Sequence, residues 1–355
     1  MPSPINNHEA TIRDVAKLAQ VSAMTVSRVI NGSISVHPDT RTRILNAIDE
    51  LNYRPKPPRQ YHTSPKSQTI GFIVPNLGDQ FFARISVGVE MTASRYGCLV
   101  IVCNSYGDSA YEKHYIQSLM QRNVDGIILA ASCDNSATYL QEFVYHGYPL
   151  VLIDREIPGI AVDTVQSDNI QGMLSLMQHL IGLGHRRIAL INSHQFISTS
   201  RERLHGYRQA LDIAGIAFDA TLVYEDVATH TPPGYHVAIK ILQQPQRPHA
   251  IVTVNAEIAN GVVQACTELR LRIPQDVALV TFDDFTHTNA IFPFFTVADQ
   301  PTTLIGSFAV EQLMRRINEP QLPISNIKLP TVFIERRSCG STRMTPFFET
   351  QFAFR

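Results

Sequence analysis

The chain has 355 residues, 44% of them apolar and 17% charged, with a net charge of −1. A chain of this length and composition can bury more than one core, and no apolar run reaches the length of a membrane span, so disordered and membrane-spanning classes are excluded. Five cysteines without a C-x-x-C pair and thirteen histidines without metal-ligand spacing indicate neither a disulfide framework nor a metal centre. No cofactor or metal is therefore expected. The N-terminal MPSPINNHEA lacks the apolar region of a signal peptide, which makes a cytoplasmic protein without a membrane partner the expectation.

Charge is unevenly spread. Residues 1–60 carry eight Lys/Arg against five Asp/Glu, about +3, and the remainder carries about −4. A basic head favours an anionic partner, with a merely solvated basic face as the alternative.

Within that head, Ile12, Val15, Ala16 and Ala19 recur at the spacing of one buried helical stripe, and Thr11 is placed to cap it. A turn at Gln20 and Val21 leads to Ser22, an N-cap for a second helix through Ile30. There Val26, Val29 and Ile30 face inward and Thr25, Ser27 and Arg28 outward. Two helices joined so tightly make a helix-turn-helix, whose second member can lie in a major groove. A third helix from about Pro38 to Leu51 is expected to bury Ile44, Leu45, Ile48 and Leu51.

The stretch TIRDVAKLAQVSAMTVSRVING followed by VHPDTRTRILNAIDELNYRP resembles the DNA-binding head of the lactose-repressor (LacI/GalR) family, with its D-V-A, V-S, T-V-S-R-V and E-L-N-Y-x-P elements in order. The resemblance places Ala23, Met24, Ser27 and Arg28 at base edges and Thr11, Ser22, Thr25 and Asn31 at or near phosphates. Ala23 and Met24 can offer only apolar contact, for example to a thymine methyl, so Arg28 is the expected direct base reader. Residues 11–53 are thus read as the head.

Residues 54–68, RPKPPRQYHTSPKSQ, hold four prolines and no aliphatic residue and form a linker. In the family a hinge helix here wedges a leucine into the minor groove. This chain has His62 at that position and Pro57 and Pro58 at the helix start. Either a short helix uses Tyr61 or His62 as the wedge, or the segment is a tether without intercalation.

From Thr69, short apolar strands alternate with amphipathic helices in two series, about 69–167 and 168–298, the pattern of parallel α/β sheets. No dinucleotide, Walker, nucleophile-elbow or zincin motif accompanies them, so an enzyme is not expected. The fold class expected is an all-α helix-turn-helix head plus an α/β two-lobed body of the type I periplasmic-binding-protein kind. By resemblance the body spans 69–338, with lobe 1 at 69–167 and 299–326, lobe 2 at 168–298 and 327–338, and a tail at 339–355. The tail has no leucine heptads, which favours a homodimer.

Ligands in open α/β sheets collect at the carboxyl ends of strands. Phe81 and Phe82 follow the first strand, and by resemblance they face an effector; core packing is the alternative. Asp154 and Asp283 each end a strand and can accept from sugar hydroxyls, or serve as turn residues. Arg203 matches the family's pocket arginine, whose fork can bridge two ligand oxygens, or it forms a surface ion pair. Asn255 stands where the family reads N-D and here is followed by Ala256; Thr199 and Gln300 complete the expected effector set. Arg155, Arg201 and the D-D-F run resemble sugar-acid regulators.

The resemblance therefore implies a repressor that binds double-stranded DNA at a near-palindromic operator and responds to a small sugar or sugar acid. The alternative is a cytoplasmic sugar-binding receptor or transporter component with the same body.

Overall fold

The structure, a computed structural model, describes residues 12–22, 25, 26, 29, 37–51, 67–225, 233–284 and 294–341. The chain divides into two units, residues 1–65 and 66–355.

In the first unit, α1 (Ile12–Leu18) and α2 (Pro38–Glu50) flank a segment in which Thr25, Val26 and Val29 are helical. Val15, Ala16, Ala19, Val26, Val29, Ile44 and Ala47 are buried together, and Val21, Ile48 and Leu51 pack against them. The expected inward Leu45 is instead exposed. It lies one residue, about 100° of helix, off the stripe formed by Ile44, Ala47, Ile48 and Leu51, so the small Ala47 takes the core position. Gln20 at φ +53° makes the turn, and Ser22 caps the next helix by accepting from the Thr25 backbone N–H at 3.1 Å.

The body starts with β1 (Thr69–Val74), α3 (Gln80–Arg95), β2 (Leu99–Asn104), α4 (Ser109–Gln121), β3 (Gly126–Leu129), α5 (Ala137–Tyr145), β4 (Leu150–Ile153) and β5 (Asp163–Ser167). It continues with α6 (Asn169–Gly182), β6 (Ile188–Asn192), α7 (Ser198–Ile213), β7 (Val223–Glu225), α8 (Tyr235–Leu242), β8 (Ala250–Thr253), α9 (Ala256–Glu268) and β9 (Ala278–Phe282). Then come β10 (Thr296–Asp299), α10 (Thr302–Asn318), β11 (Asn326–Leu329) and β12 (Val332–Ile334).

Two six-stranded sheets result. The first has the order β11-β5-β4-β3-β1-β2 and is parallel throughout; the second has the order β12-β10-β9-β8-β6-β7 and is parallel except where β12 joins β10. Central strands such as GIIL, LVLI and AIVT are buried along their whole length, because helices cover both faces.

The lobe limits differ from the sequence reading. β11 runs to Leu329 beside β5 in the first sheet, past the expected limit at 326. Strand β5, DTVQS, is polar yet buried throughout, and apolar patterning misses it. Its Asp163 accepts from both Arg316 Nε at 2.9 Å and Arg316 Nη2 at 3.0 Å, which anchors α10 to the sheet. The body also continues beyond 338: Cys339 is 1% exposed, its Sγ 3.1 Å from His179 Nε2.

α3 and α10 cross closely on the first lobe. A Cβ at Gly88 would meet the Thr303 carbonyl, and one at Gly306 the Ile85 carbonyl, so only glycine permits the approach.

Candidate functional site

The carboxyl ends of both sheets face one cleft. β1 leads to Asp79, which caps α3 by accepting from the Phe81 N–H at 2.9 Å. β4 delivers Asp154 at φ +63° and β9 delivers Asp283 at φ +67°, each the residue after its strand. α7 contributes Thr199 and Arg203, β8 leads to Asn255, and β10 leads to Gln300. All eight expected effector residues, Phe81, Phe82, Asp154, Thr199, Arg203, Asn255, Asp283 and Gln300, line one pocket.

Arg203 is 6% exposed and fixed in place: its Nε donates to Asn169 Oδ1 at 2.9 Å, its Nη1 to the Val254 carbonyl, and its guanidinium lies 4.1 Å above the Phe282 ring. Among the described residues it makes no ion pair at the surface. Burial pulls its pKa below the ordinary arginine value, opposed by the charges of Asp283, Asp154 and Glu202. Burial likewise raises Asp154, against the lowering effect of Arg155 and Arg203. Asp283, partly exposed, is pushed by desolvation up to about 7, opposed by Arg203 and by the Gln300 Nε2 that donates to its Oδ1 at 2.7 Å. Gln300 thus orients a carboxylate.

Phe81 and Phe82 are 7% and 3% exposed, meet edge to face at 5.0 Å, and belong to the lobe core as well as the cleft wall. Asn255 uses its Oδ1 to cap α9, accepting from Ile258 N–H at 2.8 Å, which leaves its amide nitrogen for other contacts.

Arg155 and Arg201 already have partners. Arg155 Nε lies 3.2 Å from Asp154 Oδ2, and its Nη1 donates to the carbonyls of Ala131 at 2.8 Å and Ser132 at 3.0 Å. Arg201 in lobe 2 reaches Asp134 in lobe 1 at 2.7 and 3.4 Å and also donates to the Gln195 carbonyl at 2.9 Å. Arg201 is spent on that pair, whereas Arg155 lines the cleft with its Nη1 already bonded. Loop 131–136, which carries Asp134, is held from below by the buried Glu112, which accepts from Ser132 N–H at 2.6 Å and Ser136 Oγ at 2.8 Å.

The sequence reading missed Asp79, Ser193, Ile197 and Ser200 as cleft lining and named Arg155 only as a sugar-acid signal. The strand-end rule that selects Asp154 also points to Asp79 after IGFIV, offset by a short turn. Of the expected DNA contacts, Ser22 and Thr25 are described, bonded to each other through their hydroxyls at 2.8 Å. Thr11, Ala23, Met24, Ser27, Arg28, Asn31, Tyr61 and His62 lie outside the described residues. Among the described residues no cluster of metal-ligating side chains occurs and no helix is long and apolar enough to cross a membrane.

Two family profiles match the chain. One, described as bacterial regulatory proteins of the lacI family, covers residues 11–56; the other, periplasmic binding proteins and sugar binding domain of LacI family, covers residues 67–337. The ribose operon repressor of Escherichia coli K12 is 32% identical over 332 residues, 93% of this chain and 99% of its own. A LacI family transcriptional regulator from Enterococcus faecium with bound ribose superposes with a TM-score of 0.67 at 26% identity, over 76% of this chain and 98% of that one. The lac repressor dimer bound to operator and the anti-inducer ONPF gives 0.68 at 25% identity, over 94% and 99%.

Proposed function

The chain belongs to the LacI family of bacterial regulatory proteins, and on that premise we propose that it is a homodimeric repressor whose grip on a near-palindromic operator is set by a sugar in the cleft. It acts by binding, without transforming the ligand. The observation that carries this reading is the convergence of Asp154, Arg203, Asp283 and Gln300 on one cleft in a chain that also carries the helix-turn-helix head. Carboxylates that accept from hydroxyls, a fixed guanidinium fork and an apolar wall are what a polyol requires. A relative named for ribose and a neighbour holding ribose support a sugar of that size. The same head disfavours a sugar receptor or transporter component, which has no use for it.

The homodimer reading rests on lobe 1, where Val87 and Met91 of α3 and Leu99 and Val102 of the edge strand β2 are 43–73% exposed. An unpaired edge strand beside an apolar helix face is costly to leave in water, and a second copy would cover it. In a dimer each head takes one half-site: Ala23, Met24, Ser27 and Arg28 against bases, Thr11, Ser22, Thr25 and Asn31 against phosphates, with Tyr61 or His62 of the linker at the minor groove. Ligand binding need supply only about 1 to 3 kcal/mol of coupling to shift occupancy of the operator. The test is selection of binding sites from random DNA followed by gel shift with and without D-ribose and other sugars. A palindromic consensus whose occupancy responds to a sugar is expected; no selected sequence, or a monomer by sedimentation, would overturn the reading.

A further inference from the structure

The cleft has a second chamber, which shares Asp79, Phe81 and Asp283 with the first and is otherwise walled by Arg84, Glu257, Asn260 and Thr302, among others. Its charges do not balance. Asp284 is neutralised by Arg336, at 2.6 and 2.7 Å, and Arg84 is engaged by Asp299 at 3.3 Å. In the first chamber Arg155 is paired with Asp154 at 3.2 Å, and Arg203 faces the carboxylates of Asp283 and Asp154. Asp79 of lobe 1 and Glu257 of lobe 2 have no ion pair among the described residues, and they line the same chamber.

Resting on the reading of the cleft as a sugar site, we propose that Asp79 and Glu257 form a charge filter that excludes anionic ligands. The effector is then an uncharged polyhydroxy compound, and sugar acids and sugar phosphates are rejected.

Both carboxyl groups already sit above their ordinary values, Asp79 chiefly through burial and Glu257 through burial and the charge of Asp79. Space that resists its own two carboxylates resists a third anion more, because like charges a few ångströms apart at low effective dielectric repel strongly. Hydroxyl groups meet the opposite situation, since each carboxylate offers acceptors that an uncharged polyol can satisfy by donating. The chamber wall also holds the Thr302 Oγ1, on a residue 2% exposed, with no hydrogen-bond partner among the described residues. A buried hydroxyl left without a partner is costly, and a hydroxylated ligand supplies one. The arrangement favours polar neutral groups and penalises negative ones at the same place.

The experiment is calorimetric titration of the full-length protein with paired probes, D-ribose against D-ribose 5-phosphate and D-glucose against D-gluconate. The wild type is expected to prefer the neutral member of each pair. Glu257→Gln, which removes the charge at nearly constant shape, is expected to narrow that preference about tenfold. Asn260→Asp, which adds a carboxylate to the same wall, is expected to widen it; the two variants thus move the ratio in opposite directions, which a folding defect cannot mimic. A wild-type preference for neutral sugars that both variants leave unchanged overturns the filter and leaves the sugar reading standing. Tighter binding of gluconate or ribose 5-phosphate by the wild type overturns the filter alone. Absence of heat with every probe overturns the sugar reading and the filter with it.

Discussion

Replacing Asp283 by Asn should make the ligand-free protein more stable and at the same time deaf to its sugar. The substitution is conservative in shape, and Asn accepts the left-handed backbone at φ +67° as readily as Asp does. Its Oδ1 can keep the hydrogen bond from Gln300 Nε2. What disappears is a carboxylate whose folded-state pKa is about 7 against an ordinary 3.8. Between those values the folded state holds a proton that the unfolded state has released, so the wild type loses stability as pH rises from about 4 to 7 and is level above that. At about 1.4 kcal/mol per pH unit the full gap corresponds to about 4 kcal/mol. Because Asp283 is only partly buried, about 2 kcal/mol is the working expectation, or roughly 4–8 °C in melting temperature for a domain of this size. The measurement is thermal denaturation of both proteins at pH 4, 5.5 and 7.5 without ligand. The stabilisation of the variant should grow across that series, and titration with D-ribose should show binding lost. A constant difference at all three pH values would refute the argument, since it would mean that the ionisation of Asp283 is not the cause.

Arg203→Met should abolish the sugar response and cost about 3–5 kcal/mol, because it breaks the bonds to Asn169 and Val254 and leaves Asp283 without its opposing cation; urea denaturation reads the cost, and gel shift below the melting temperature should still find operator bound. Asp134→Asn and Arg201→Gln remove the same ion pair between the lobes. An exposed pair of this kind is worth at most about 1 kcal/mol, so each single change should weaken sugar affinity by up to about fivefold and the double change by no more than either alone; additive losses in calorimetry would show that the pair does not act as a unit. Gly306→Ala should destabilise lobe 1 by about 1–3 kcal/mol through a clash with the Ile85 carbonyl, visible as a lower urea midpoint.

Some of this was written in local sequence. The stripe Val15, Ala16, Ala19 fixes one face of α1, and the capping chemistry of Ser22 is legible because an N-cap depends only on residues three positions apart. The strands of the central sheet positions, GIIL and LVLI, announce themselves because burial on both faces demands continuous apolar runs. Asp154, Asp283 and Arg203 could be placed at strand ends and on a helix, and the resemblance told which ends mattered.

Other features depended on partners far along the chain. Strand β5 can bury Asp163 because Arg316, 153 residues later, neutralises it, and no local pattern carries that information. Leu45 is apolar and still exposed, because the third helix rotates to fit Ala47 against its neighbours. Which arginine meets the ligand space is likewise a tertiary matter: Arg201 looks as available in sequence as Arg203, yet it pairs with Asp134 of the other lobe, while Arg155 and Arg203 line the cleft. Sequence by itself determined the head's helices and the two α/β series, since these rest on local periodicity, and the family resemblance said that they make a DNA-binding head and a two-lobed ligand-binding body. Only the tertiary structure decided which charges in the cleft remain unpaired, because pairing depends on side chains from separate lobes meeting within a few ångströms.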